Sequence, residues 1–180
     1  MKKVIIILLI FSIFSCSEKK KTDKKQEIKT VENTVTVESG FDLIQNFETN
    51  KTNFRTDTFE LSEHSTDGGE LTVFHSSKME YLVLDFWLYG ETGKLNYTYW
   101  TDKDFKIKFV KQIRFEYDKP YYEEGFKIDT ITNYLSYLNT ATKLYDKNKK
   151  EIYNDILIET KKKELESFFK DVTKGVEIIK

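Results

Sequence analysis

The sequence predicts an α+β domain: an antiparallel β-meander sheet with a short N-terminal helix and a C-terminal helix. Three observations predict it. From Leu71 to Tyr117, apolar and polar residues alternate in successive segments separated by turn residues, the period-two signature of half-buried strands. The aromatics are mainly Phe (14) and Tyr (11), and there is one proline, a composition that suits long pleated strands. At the flanks, Phe41, Ile44 and Phe47 before the alternating region, and Leu165, Phe168, Phe169 and Val172 after it, recur at helical spacing.

Taken in order, the chain begins with Lys2-Lys3 and an apolar run from Val4 to Phe14 broken only by Ser12. That run is too short to span a bilayer, which needs about 20 helical residues, and it has the layout of an export signal. It ends Ile13-Phe14-Ser15-Cys16, which resembles the lipobox of bacterial lipoproteins. The resemblance implies removal of residues 1–15 and lipidation of Cys16 as the first mature residue. Phe14 is bulkier than the motif's usual small residue, and the alternative is an ordinary secretory peptide with an incidental cysteine. Residues 16–38 follow as the lipidated cysteine and a tether. Between Ser17 and Asn33 the tether has almost no large apolar side chain, so burial cannot offset the entropy of ordering it. Its lysines alternate with acids, which suits a solvated spacer better than a headgroup-binding patch. Ser17 after Cys16, in place of aspartate, favours outer-membrane sorting in an enterobacterial-type host.

Residues 39–180 form the expected single domain. Ser39 is a candidate N-cap with Asp42 three residues on, a relative of the capping box. Phe54 to Glu63 reads as a first strand and Glu63 to Gly69 as a polar loop. Leu71 to His75, Tyr81 to Tyr89, Leu95 to Thr101 and Phe105 to Tyr117 read as further strands. A two-residue turn at Ser77-Lys78 would pair Val73 with Leu82 and Leu71 with Leu84. A four-residue loop from Gly90 to Gly93 would pair Leu88 with Leu95, Phe86 with Tyr97 and Leu84 with Tyr99. A three-residue loop at Asp102 to Asp104 would pair Tyr99 with Ile107 and Tyr97 with Phe109.

These registers agree on one apolar face, which includes Phe105, Ile107 and Phe109, and a slip of one residue would invert it. The last of these strands exceeds the usual three to ten residues, so a bulge is expected near Lys111-Gln112. Phe126 to Tyr137 and Thr142 to Asp146 read as another hairpin, with Leu135 opposite Leu144. Asn96-Tyr-x-Tyr-Trp and Asn133-Tyr-x-x-Tyr-Leu hint at a repeated hairpin without reaching a solenoid signature. The C-terminal helix, stopped near Lys174-Gly175, should close one sheet face.

Charge and motifs narrow the chemistry. There are 29 basic and 30 acidic residues, a formal net charge of -1, so there is no concentrated basic field of the kind nucleic acid requires. Gly90-Glu-Thr-Gly93-Lys94 looks briefly like a phosphate loop. That loop needs glycine where Leu88 stands, a hydroxyl residue where Leu95 stands, and a helix after it. His64 and His75, with Glu63, Asp67 and Glu80, lack a tight metal-binding spacing, and no motif implies a cofactor. No Gly-x-Ser-x-Gly elbow occurs. Asp85, with Glu70 expected opposite it, is the pair a hydrolase reading would use. Phe74, Tyr81, Trp87 and Trp100 share the second, mixed sheet face. They are the candidate binding residues if that face is open, and core if a helix covers it.

Gly68-Gly69-Glu70, Tyr89-Gly-Glu-Thr-Gly-Lys94 and Tyr99-Trp100 before Asp102 give the chain its pattern. It resembles a loose group of uncharacterised lipoproteins of Bacteroidetes-type bacteria over residues 42–151. The resemblance implies location and an antiparallel sheet, and brings no catalytic residues. The expected function is therefore a lipid-anchored, non-enzymatic cell-envelope module that binds a protein, peptide or glycan. The alternatives are an envelope inhibitor or immunity-type protein that occludes an enzyme, and a hydrolase using Asp85 and Glu70.

Overall fold

The computed structural model describes residues 39–175. The expected export signal, Cys16 and the tether lie outside the described residues. Helix α1 (Gly40–Asn50) opens the domain and passes through a 3-10 turn at Lys51–Asn53. Eight strands follow: β1 (Arg55–Glu60), β2 (Gly69–His75), β3 (Leu82–Gly90), β4 (Gly93–Thr101), β5 (Ile107–Tyr117), β6 (Ile128–Ser136), β7 (Lys143–Tyr145) and β8 (Glu151–Ile152). Helix α2 (Asp155–Gly175) closes the described chain. The strands form one antiparallel sheet in chain order, so the α+β meander expected from the alternation is the observed fold. Among the described residues no helix is long and apolar enough to cross a membrane.

Each helix covers part of one sheet face. The Ser39–Asp42 capping box is complete. The Asp42 N–H donates to Ser39 Oγ at 3.2 Å and the Ser39 N–H donates to Asp42 Oδ2 at 2.9 Å, which satisfies two of the donors a helix start leaves open. From there α1 lays Leu43 and Phe47 onto Phe74, Val83, Trp100 and Phe109. On the opposite face α2 presses Leu165, Phe169 and Val172 onto Leu71, Val73, Leu84, Phe86, Tyr97, Tyr99 and Val110. The Tyr99 hydroxyl donates to the Leu165 carbonyl at 2.9 Å, which pins the α2 backbone to the sheet centre.

The β3–β4 register is the expected one, with Leu88 opposite Leu95, Phe86 opposite Tyr97 and Leu84 opposite Tyr99. Leu135 opposite Leu144 also stands. Two registers differ. Val73 faces Leu84 and Leu71 faces Phe86, two residues further on than expected, because the connection from His75 to Leu82 is longer than a two-residue turn. A shift of two keeps every side chain on its face. The β4–β5 register breaks between Trp100 and Thr101: Thr101 faces Ile107 while Trp100 faces Phe109, so Lys108 is the extra residue of a bulge. The bulge therefore sits at Lys108 and not near Lys111-Gln112. Beyond it the parity inverts. Phe109 joins the α1-side core, and Val110 and Gln112 turn toward α2.

The bulge follows a tight loop that recurs later in the chain. Asp102 accepts from the N–H groups of Asp104 and Lys106, and Phe105 has φ 62. Asp146 accepts from the N–H groups of Asn148 and Lys150, and Lys149 has φ 63. In each loop an aspartate fastens the backbone and a residue three positions later takes the left-handed conformation.

Candidate binding surface at the β3–β4 end

The four candidate residues do not share one environment. Trp100 (1% exposed), Phe74 (8%) and Tyr81 (9%) lie beneath α1 and the turn that follows it. Phe47 meets Phe74 at 5.0 Å and Trp100 at 6.2 Å between ring centroids, both edge to face. The Tyr81 hydroxyl donates to Asn46 Oδ1 of α1 at 2.7 Å. With the helix seated, these three rings are core. Trp87 stands beyond the helix and is half-buried.

Around Trp87 the sheet assembles a different group of aromatics. The rings of Trp87 and Tyr89 lie 6.5 Å apart at 9° and those of Trp87 and Phe115 6.0 Å apart at 22°, so three rings from β3 and β5 run nearly parallel. The Lys94 ammonium lies 5.1 Å from the Trp87 centroid and 4.8 Å from that of Phe115, within cation–π range. The Trp87 indole is fixed from below. Its Nε1–H donates to Asp85 Oδ2 at 3.1 Å, while Asp85 Oδ1 accepts from Asn96 Nδ2 and Thr98 Oγ1, each at 2.8 Å. Burial raises the Tyr89 pKa, and the carboxylates of Glu70 and Asp85 push it the same way.

Two loops frame this group. The turn before β2 reaches β3 through the Tyr89 N–H, which donates to the Gly68 carbonyl at 2.9 Å, and through the Asp67 N–H, which donates to the Tyr89 carbonyl at 3.3 Å. Gly68 has φ +75, so a side chain there would be strained. On the other flank the Tyr121 N–H donates to the Glu91 carbonyl at 3.0 Å, and Lys127 N–H to Asp118 Oδ1 at 2.7 Å. Between the loops is a cleft of about 410 Å³, lined by Asp67, Tyr89, Gly90, Gly93, Lys94, Tyr117 and Tyr121. A depression of about 690 Å³ shares Tyr89 and Lys94 with it and continues past Phe115 around the hairpin tip. Another hollow, of about 610 Å³, lies between α2 and the β4–β5 loop. Of its lysines, Lys108 is paired with Asp102 at 3.1 Å and Lys162 with Glu159 at 3.9 Å, so that charge is largely spoken for.

The acid pair is arranged otherwise than expected. Thr72 faces Asp85, and Glu70 faces Trp87, so the two carboxylates are diagonal neighbours, and both Asp85 oxygens serve as acceptors for the sheet. His75 Nε2 lies 2.7 Å from Asp57 Oδ2 and 3.0 Å from Arg55 Nε at the β1 edge. Among the described residues no group of three or more His, Cys, Asp and Glu side chains is placed to hold a metal ion.

The sequence did not single out Tyr89, Phe115, Tyr117 or Tyr121 for binding, and it pointed to Lys94 only through the phosphate-loop comparison and to Asp67 only as a possible metal ligand. Tyr89 was within reach, because it follows Trp87 by two residues and so shares its face. Phe115 was hidden by the bulge. Comparison of the chain with protein-family models, with curated proteins and with solved structures finds no match.

Proposed function

We propose that this chain is a lipid-anchored protein of the bacterial cell envelope, with outer-membrane sorting favoured, whose domain is a non-enzymatic binding module. Cys16 would carry the lipid and residues 16–38 would hold the domain off the membrane. The ligand, a protein, peptide or glycan, would dock on the sheet beyond α1, where Trp87, Tyr89 and Phe115 adjoin the cleft between the two loops. One observation carries this reading: an accessible aromatic group built on central strands, its tryptophan oriented by a three-donor carboxylate. Orienting a half-buried indole in this way prepares a surface before any ligand arrives, which lowers the cost of binding. Among the candidate residues read from the sequence, Trp87 is the one this surface retains, while Phe74, Tyr81 and Trp100 support it from beneath α1.

The experiment is capture from solubilised envelopes with the full chain as bait, run beside Trp87→Ala and Tyr89→Ala. Partners lost in both variants support the surface, and partners retained in both sink it. In the same cells, Cys16→Ser should abolish incorporation of a labelled palmitate and release the protein from the membrane fraction. Persistent lipid labelling of that variant would overturn the anchor.

A further inference from the structure

We infer that the ligand class of the cleft bounded by Tyr89, Tyr117 and Tyr121 is a neutral oligosaccharide, an inference that rests on the binding reading above.

The first argument is what the backbone has already committed. β3, β4 and β5 are interior strands: Tyr89 pairs with Lys94, Lys94 with Phe115, Phe115 with Thr130 and Tyr117 with Ile128. On its other side Tyr89 is bonded to Gly68 and Asp67. Among the described residues the strands that line the cleft are paired on both sides, so they offer an extended peptide no edge for strand addition, which draws its affinity from main-chain hydrogen bonds. Recognition has to come from ring faces and side-chain polar groups. Stacking of a sugar's C–H face on an aromatic ring, with hydroxyls bonded at the rim, meets that condition.

The second argument is charge. The cleft is lined by one carboxylate, Asp67, and one ammonium, Lys94, whose nitrogen lies over two rings. A balanced lining offers no net attraction to a phosphorylated or polyanionic ligand, yet supplies an acceptor and a donor for hydroxyl groups.

The third is rigidity with exposure. Tyr121 is 54% exposed, on a loop bonded to the β3–β4 turn at Glu91, so a large amphipathic ring is presented at little further entropic cost. Tyr117 packs on Phe126 with centroids 5.2 Å apart, which backs the cleft wall.

The test uses the full chain in a sugar-free detergent. It is screened against arrayed neutral gluco-, manno- and xylo-oligosaccharides, their sulfated counterparts and, in a second arm, an array of unmodified peptides. The expected result is retention of at least one neutral series. Tyr121→Ala should weaken it about tenfold, the loss of one stacked ring, and Tyr121→Phe should keep most of the affinity. Peptide binding that Tyr121→Ala abolishes, without saccharide binding, overturns the sugar assignment and leaves the binding reading standing. A preference for the sulfated series overturns the neutrality of the ligand. If nothing in either arm depends on Tyr121, the sugar assignment falls, and the binding reading is decided separately by capture with Trp87→Ala and Tyr89→Ala. Unchanged thermal unfolding of the exposed Tyr121 variants separates lost binding from lost fold.

Discussion

Replacing Phe47 by alanine tests whether α1 is a seated part of the domain. Phe47 is 3% exposed and its ring meets those of Phe54, Phe74 and Trp100 at 5.3, 5.0 and 6.2 Å, edge to face in each case. Its neighbours are rings fixed on strands or in the following turn, so the site can collapse only slightly. Phe→Ala in a core costs about 3–5 kcal/mol, the upper values where relaxation is poorest. With α1 short and tied down chiefly by Leu43 and Phe47, about 3–4 kcal/mol is expected. Domains have about 5–15 kcal/mol in hand, so the variant should still fold. The assay is urea unfolding, with m compared between variants, in a Trp87→Phe background. The chain has two tryptophans, so this leaves Trp100 as the sole reporter. With α1 seated, Trp100 emission should be blue-shifted and resistant to acrylamide, and in Phe47→Ala it should become quenchable well below the unfolding midpoint. A loss under about 1 kcal/mol with Trp100 still shielded would refute the claim that α1 holds down this face.

Other outcomes follow from the same contacts. Lys149→Gly should stabilise the fold by roughly 0.5 kcal/mol because it removes a left-handed side chain, the gain being trimmed by the lost Lys149–Phe41 contact. Phe105→Gly, at nearly the same φ, should destabilise it by about 1–2 kcal/mol because that ring packs against the α2-side core; chemical denaturation reads both signs. Asp85→Ala should lower stability by about 2–4 kcal/mol, since Trp87, Asn96 and Thr98 lose an acceptor, and Asp85→Asn should recover part of it in thermal unfolding. Burial pushes the Glu164 carboxyl up, but hydrogen bonds from Lys161 and Gln112 outweigh it and leave the pKa below its usual 4.5. A depressed folded pKa contributes stability above the unfolded value and loses it as pH falls through the folded one. Wild type should therefore lose more stability than Glu164→Gln between pH 5 and pH 3, and parallel pH curves would contradict this.

How much was legible in the sequence varies along the sheet for identifiable reasons. β3–β4 could be read residue by residue because Gly90 and Gly93 bracket a loop whose length fixes the pairing. β2–β3 was read to the right face but two residues off, since period-two patterning cannot see an even shift. β4–β5 misled because Phe105, Ile107 and Phe109 alternate smoothly through the bulge. Reading the inversion would have required accepting Gln112 as a buried residue, 2% exposed. What makes that tolerable is Glu164 on α2, which accepts from its amide at 2.7 Å, a partner 52 residues away. The surface suffered from the same bulge, which moved Phe115 beside Trp87. The cover over Phe74, Tyr81 and Trp100 depends on where α1 docks, and helical spacing marks a helix's apolar side without naming the sheet face that receives it.

The chain-order sheet also sets a sequence of assembly. Each strand pairs with the one before it, so the ladder can grow hairpin by hairpin as the chain emerges, with short loops to close at each step. The first described element follows another schedule. The side chains that receive α1 come from β2, β3, β4 and β5, and Phe41 additionally waits for Tyr134 on β6 and Tyr145 on β7. Until those strands are laid down, Leu43 and Phe47 have no complete surface to bury against. Helix α1 is formed early and seated late, only once strands as far along the chain as β7 are in place.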